Sequence, residues 1–241
     1  MSINANVKRA ESDYNRAYEA GRQEKNCSLM TAFQQGGERV SYVDAFSTQY
    51  WTDEVFRPIF NMNVTSGIRM FKQCSITDLK GILERQGVVL DTSACGNLYE
   101  FMSGSTITRT PAIDASLCPT LTQTFYNCLY LVSIEKLIVS ADGSTTFDNT
   151  FYNCKELVHL VIEGVVGGKG IHLKWSVKLD KVSITSVINA LSTTTTGLTV
   201  TFSKTAVDTA FATTEGGADG STSAEWLALV ATRSNWTIAL A

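Results

Sequence analysis

One nine-residue string is nearly repeated. Thr124-Phe125-Tyr126-Asn127-Cys128-Leu129-Tyr130-Leu131-Val132 returns as Thr150-Phe151-Tyr152-Asn153-Cys154-Lys155-Glu156-Leu157-Val158, offset by 26 residues. Self-similarity at a fixed offset marks a chain of small stacked units, none of which buries its own apolar face alone. With the aromatic as anchor, the series extends to Phe46, Phe71, Phe101, Phe125, Phe151 and Trp175, at spacings of 25, 30, 24, 26 and 24 residues. Other positions keep step. Three residues after the anchor stand Cys74, Gly104, Cys128 and Cys154; six after it stand Ile107, Leu131 and Leu157. Four before it stand Tyr42, Leu121, Phe147 and Ile171, with Gly67 as a departure. The unit reads as a helical turn around the aromatic and cysteine, followed by an apolar strand such as 131–139 or 157–162. The cysteines read as small buried side chains under each turn, where a larger group would overpack.

The aromatic-x-x-Cys-x-x-Leu element at this spacing resembles the BspA-type leucine-rich repeat family. The match is best over 125–134 and 151–162, partial over 71–79 and 101–113, and lacks that family's Ile-Pro strand end. The stretches 50–56 and 76–90 resemble a variant encoded by phages and prophages of gut Firmicutes. The resemblance implies an α/β fold: a leucine-rich-repeat-like solenoid of about 25-residue units. It also implies a virion-associated role.

Composition excludes several classes. Twenty basic and 23 acidic residues give a net charge of −3, so no strong field selects nucleic acid or an anionic membrane. Apolar runs fall short of a bilayer span, so no membrane insertion is expected. Met1–Arg9 shows no basic segment followed by an apolar stretch, which reads as no export signal. The six cysteines, Cys27, Cys74, Cys95, Cys118, Cys128 and Cys154, contain no Cys-x-x-Cys, and the only histidines are His159 and His172. Neither a metal site nor a Cys-His nucleophile is supported, and free thiols are expected.

The two ends differ from the middle. Residues 5–33 lack proline, carry one glycine, and read as a helix ended by Gly36-Gly37. Val7, Ala10, Tyr14, Ala17 and Gly21 follow a 3-4-3-4 spacing, which suits a solenoid cap or an oligomerisation device. After Trp175, 183–191 reads as an amphipathic helix with Ser183 as its cap candidate, 198–202 as a strand, and 204–211 as a helix capped by Ser203. A helix over 224–232 capped by Ser223 and a strand over 236–240 complete the chain. The domain reading is therefore an N-terminal helix over 1–37, a leucine-rich-repeat-like solenoid over 38–181, and a C-terminal α/β cap over 182–241.

No catalytic motif emerges. The glycine-rich 164–170 segment lacks the glycine spacing and the Ser or Thr of a phosphate loop. Asp53 and Glu54 beside Trp51 are adjacent in sequence and face opposite ways on a strand, which weakens a paired-carboxylate reading. The expectation is a non-enzymatic structural or recognition protein without cofactors. It would sit on a phage virion as a fibre, decoration or host-attachment protein. Its partners would be other virion proteins or a host cell-surface protein or glycan, with a homo-oligomer formed through the N-terminal helix. A bacterial leucine-rich-repeat adhesion protein, cytoplasmic or reaching the surface by a signal-independent route, is the alternative, and a carbohydrate-active enzyme a weaker one. Tyr50, Trp51, Tyr126, Tyr130 and Tyr152 are the candidate contacts, because aromatics dominate interface centres.

Overall fold

The Phe, Tyr and Asn positions of the repeated string each meet their counterpart in the neighbouring unit, and its Thr and Cys reach carbonyls there. The Phe125 and Phe151 rings stack at 5.8 Å with planes 9° apart, and both are buried. Tyr126 and Tyr152 stack beside them at 4.9 Å and 10°. Asn153 Nδ2 donates to Asn127 Oδ1 at 3.0 Å. The buried Thr150 hydroxyl donates to the Leu121 carbonyl at 2.8 Å, and the Cys154 thiol donates to the Phe125 carbonyl at 3.0 Å. Buried polar groups are tolerated only when paired, and here each pairs one unit back. The string is not the expected helical turn. Residues two before and two after the anchor adopt left-handed backbone, with φ of 56° at Gln123 and Asn127, 53° at Asn149 and 61° at Asn153. Asparagine enters that region more readily than most residues, which accounts for its place in the string.

Backbone hydrogen bonds tie successive turns together. Gln123, Phe125 and Asn127 donate N–H to the carbonyls of Asp148, Thr150 and Tyr152 at 2.9–3.1 Å. One unit earlier, Glu100, Met102 and Gly104 donate to Thr122, Thr124 and Tyr126; before that, Arg69, Phe71 and Gln73 donate to Tyr99, Phe101 and Ser103. The Gly67 departure has a steric cause, since a Cβ there would stand 2.9 Å from the Phe101 ring and 3.0 Å from Leu98. Part-buried ion pairs at 2.7 Å, Arg69 on Asp44 and Lys72 on Glu100, also cross between neighbouring units.

The computed structural model describes residues 39–49, 51–54, 56, 58 and 61–241. The helix expected over 1–37, Cys27 and Tyr50 lie outside the described residues. The rest is α/β, and the solenoid expectation is corrected. Instead of one continuous repeat array, the described residues form three separate small parallel sheets and four helices. The first sheet joins β1 (Arg39–Ser41), β2 (Met62–Ser66) and β3 (Leu90–Asp91) in that order. The second has β6 (Ser133–Ile138) at its centre, with β7 (His159–Glu163) along one edge. Its other edge holds β4 (Arg109–Thr110) and β5 (Ile113–Asp114) end to end. The third runs β10 (Trp236–Leu240), β9 (Leu198–Phe202), β8 (Ile171–Leu173).

Local features interrupt the chain between strands. Helix α1 (Leu79–Gln86) intervenes between β2 and β3, capped by Asp78 and ended by Gly87 in left-handed backbone. Pro111 stands between β4 and β5, where it has no N–H to give a ladder. Beyond β7, helix α2 (Lys181–Ala190) replaces the next strand. Its Ser183 and Ser186 hydroxyls accept from the β7 N–H groups of Leu160 and Ile162 at 2.8 and 2.9 Å, closing an edge that would otherwise invite association. The cap of α2 is Asp180, not Ser183. The crossing from β7 to β8 needs glycine for close approach: a Cβ on Gly168 would lie 2.5 Å from the Ser144 carbonyl oxygen. In the last sheet, β9 and β10 are linked through α3 (Lys204–Ala210) and α4 (Ala224–Ala231), capped by Ser203 and Ser223. Arg233 locks this sheet to α2 by donating to the Asn189 and Leu191 carbonyls. One contiguous apolar core runs from Tyr42 to Trp236.

Phe125→Ala or Phe151→Ala should lower stability by about 3–5 kcal/mol, the scale of an aromatic removed from a close-packed core. Tyr130→Ala should stay within about 0.5 kcal/mol. Urea unfolding midpoints measure both, and equal shifts at the three sites would contradict the register. Asp180 supplies a pH test. Burial raises its carboxyl pKa, but hydrogen bonds from the Ser183 hydroxyl and N–H and from His159 outweigh this and hold it below its ordinary value. A depressed folded pKa contributes stability above the unfolded value, lost as pH falls through the folded one. The stability advantage of the native chain over Asp180→Ala should therefore be about 1 kcal/mol at pH 6 and shrink below about pH 4.

Candidate ligand-binding cleft

The turn-to-turn ladder stops after the Phe151 unit. Among the described residues, the N–H groups of Asn149, Phe151 and Asn153 make no counterpart of the bonds made by Gln123, Phe125 and Asn127. The next segment of the series, around Trp175, pairs instead with the last sheet, Ile171 opposite Val200 and Leu173 opposite Phe202. A cleft of about 320 Å³ lies where the two arrangements part. Asn149 and Tyr152 line it from the Phe151 turn; His172, Lys174 and Trp175 line it from β8 and the residues after it. Thr201 of β9 and Ala241 complete it.

The aromatic stack leads into this cleft. Tyr152 carries Tyr126 stacked on one side and meets Trp175 edge to face on the other, with centroids 5.4 Å apart and planes at 63°. Such pairs are worth about 0.5–1.5 kcal/mol beyond their burial, enough to hold the rings as a preformed wall. Lys174 Nζ lies 5.3 Å from the Trp175 ring centroid, a cation–π contact. His172 Nδ1 and Thr201 Oγ1 are 3.0 Å apart. Among the described residues the Trp175 indole N–H, shielded from solvent, has no acceptor. A buried donor left unmatched costs about 1–3 kcal/mol, which marks this as a place where packing has not satisfied itself.

Charge around the cleft is uneven. Lys169 is neutralised by Asp148 at 3.1 Å and Lys178 by Glu156 at 2.5 Å. Lys174 makes no ion pair among the described residues, and no Asp or Glu side chain lines the cleft. Its polar lining sets the Lys174 ammonium and the Asn149, His172 and Thr201 side chains together with the main-chain carboxylate of Ala241, beside flat apolar rings.

The sequence candidates separate in space. Tyr126 and Tyr152 come together in the stack, Tyr152 being 36% exposed. Tyr130 is 57% exposed and stands apart from the stack. Trp51 is a correction: it is 3% exposed and packs edge to face on Phe46 at 5.1 Å, so it belongs to the core and not to a contact surface. Of the anchors, Phe46, Phe71, Phe101, Phe125 and Phe151 are buried, whereas Trp175 is half-buried and serves as cleft wall. Asn149, His172, Lys174 and Thr201 escape a reading based on the repeat, because they meet only through the change of pairing partner at β8.

Among the described thiols, burial dominates, with one departure: the neighbouring Cys118 lowers the Cys95 thiol to about 7. Cys74, Cys95, Cys118, Cys128 and Cys154 are all buried. Burial pushes the Cys74 and Cys128 thiols up to about 12 and raises that of Cys154 well above its ordinary value. Cys128 and Cys118 donate to the carbonyls of Met102 and Cys95 at 3.0 and 3.1 Å, as Cys154 does to Phe125. Among the described residues no three His, Cys, Asp or Glu stand together to hold a metal ion, and no helix is long and apolar enough to cross a membrane. No protein-family model, curated protein or solved structure matches the chain.

In a Cys27→Ser variant, the aromatic disulfide DTNB should release almost no thionitrobenzoate from native protein at pH 8 and five equivalents after unfolding. Rapid native release would contradict the structural role of the thiols.

Proposed function

We propose that this is a non-enzymatic recognition protein whose working surface is the aromatic cleft at the end of the turn ladder. The observation that carries the reading is the Tyr126–Tyr152–Trp175 series: three aromatic rings held in register by the fold, the last two lining a concave site. Binding sites of this kind combine aromatic walls with a few convergent polar groups, here Asn149, His172, Lys174 and Thr201. Preformed walls reduce the ordering cost of capturing a ligand. The resemblance to phage-encoded repeat proteins supports placing this surface on a virion, where its task is attachment to a host cell.

Fluorescently labelled full-length protein, incubated with intact cells of a panel of Gram-positive bacteria, tests the reading. Saturable binding to a subset of strains is expected, weakened by about tenfold or more in Tyr152→Ala, the scale of a lost central aromatic. Tyr130→Ala, outside the cleft, should bind as the native chain does. Binding that Tyr152→Ala leaves intact, or binding to no strain, would contradict the proposal.

A further inference from the structure

Two of the buried thiols are neighbours. Cys95 follows β3 and Cys118 follows β5 at the same offset of 23 residues that separates Leu90 from Ile113. Each closes the same turn, its N–H donating to the carbonyl of Thr92 or Ala115 at 2.8 and 2.9 Å. The Cys118 thiol lies 3.1 Å from the Cys95 carbonyl oxygen and within hydrogen-bond reach of the Cys95 sulfur. Units stacked side by side stand about 4.8 Å apart, inside the Cα spacing of about 4.4–6.8 Å that a disulfide bridges. Hydrogen bonding alone does not call for thiols here. One unit on, the Thr145 hydroxyl donates to the Cys118 carbonyl at 3.1 Å, the role that Cys118 plays toward Cys95. A hydroxyl is the stronger donor. The location matters as well. Among the described residues no strand pairing joins β3 to β5, and the first and second sheets meet there through side chains: the Asp114 N–H donates to Thr92 Oγ1 at 2.7 Å, and Cys118 reaches Cys95. The hydrogen bond from Cys118 also lowers the Cys95 thiol against the opposing effect of burial, which leaves a thiolate fraction at neutral pH. Burial instead raises the Cys128 and Cys154 thiols, each of which donates to a backbone carbonyl one unit back.

We propose that Cys95 and Cys118 are a site of disulfide formation, oxidised by a small-molecule disulfide, and that the bond staples the first sheet to the second where no strand ladder joins them. The Cys95 thiolate attacks one sulfur of the oxidant and expels a thiolate; the Cys118 thiol then gives up its proton, attacks the Cys95 sulfur and releases the second thiolate. Two protein thiols are oxidised, and the oxidant is reduced to two thiols that take up both protons. With the two residues 0% and 1% exposed, the pair meets the oxidant while the chain folds, and the closed core then shields the bond. The proposal is independent of the cleft.

The experiment refolds full-length Cys27→Ser protein from urea in a buffer of reduced and oxidised glutathione, traps the remaining thiols after a second unfolding, and maps the product by mass spectrometry without reduction. The five thiols of the reduced chain should fall to three. The peptide holding Cys95 should be joined to the one holding Cys118, with fragment spectra separating Cys118 from Cys128. The thermal midpoint of the oxidised protein should exceed that of the same protein reduced by about 5–10 °C, because the bond closes a loop of about two dozen residues in the unfolded chain. Cys118→Ser keeps a donor for the Cys95 carbonyl and should retain four thiols and one midpoint under both conditions; Cys95→Ala makes the same test should that variant fail to fold. Five free thiols after refolding, glutathione adducts in place of an internal bond, or a bond from Cys128 to Cys154 instead would overturn the proposal. A midpoint that the Cys95–Cys118 bond leaves unchanged or lowers would overturn the stapling role.

Discussion

The structure depends on one interaction: a backbone N–H in each turn reaching the carbonyl of the turn that follows. Gln123, Phe125 and Asn127 make it to the Phe151 unit, Glu100, Met102 and Gly104 to the Phe125 unit, and Arg69, Phe71 and Gln73 to the Phe101 unit. Each such bond contributes about 1 kcal/mol net, yet leaving its groups buried and unpaired would cost more. That asymmetry fixes the spacing of the turns. With the spacing fixed, phenylalanine falls on phenylalanine and tyrosine on tyrosine, and the buried threonine and cysteine donors find carbonyls one unit back. The left-handed residues flanking each anchor are the local cost, offset because they aim alternate N–H groups outward along the ladder.

A ladder of this kind must end, and the two ends of the β7 unit end differently. On the strand side, α2 supplies serine hydroxyls that satisfy the β7 edge and then hands its own C-terminal carbonyls to Arg233. On the turn side nothing equivalent is built. The chain crosses through the glycine-rich 164–170 segment, β8 joins the last sheet, and the turn donors of Asn149 and Asn153 face a region where the pairing has changed. The cleft is thus a consequence of topology: it opens where two hydrogen-bonding schemes fail to meet. Aromatic rings from both schemes line it, because the repeat delivers Tyr152 and Trp175 to the same place.

Much of the local architecture was legible in the residues. The strands at 198–202 and 236–240 alternate apolar side chains, and Ser203 and Ser223 announce the helices that follow them. The repeat register was legible because burial demands the same residue at the same place in each unit. Helix α1, bracketed by Asp78 and Gly87, interrupts the repeat and so was not legible in its register. Ser183 was misread as a cap because its hydroxyl serves β7, a partner distant in sequence. Trp51 was misplaced because aromatics fill cores as readily as interface centres, and here Phe46 and Phe56 surround it. The division into three sheets was not legible in the repeat, and the cleft residues meet only through the partner that β8 takes.

The direct test of this account is residue-resolved amide hydrogen exchange by NMR on the full-length protein. The account predicts slow exchange at Gln123 and Asn127, whose N–H groups are rungs of the ladder, and faster exchange by about an order of magnitude or more at Asn149 and Asn153, which occupy the same turn positions without a rung. Equal protection at the four positions would mean that the ladder continues past the Phe151 unit, and the structural origin assigned to the cleft would be wrong.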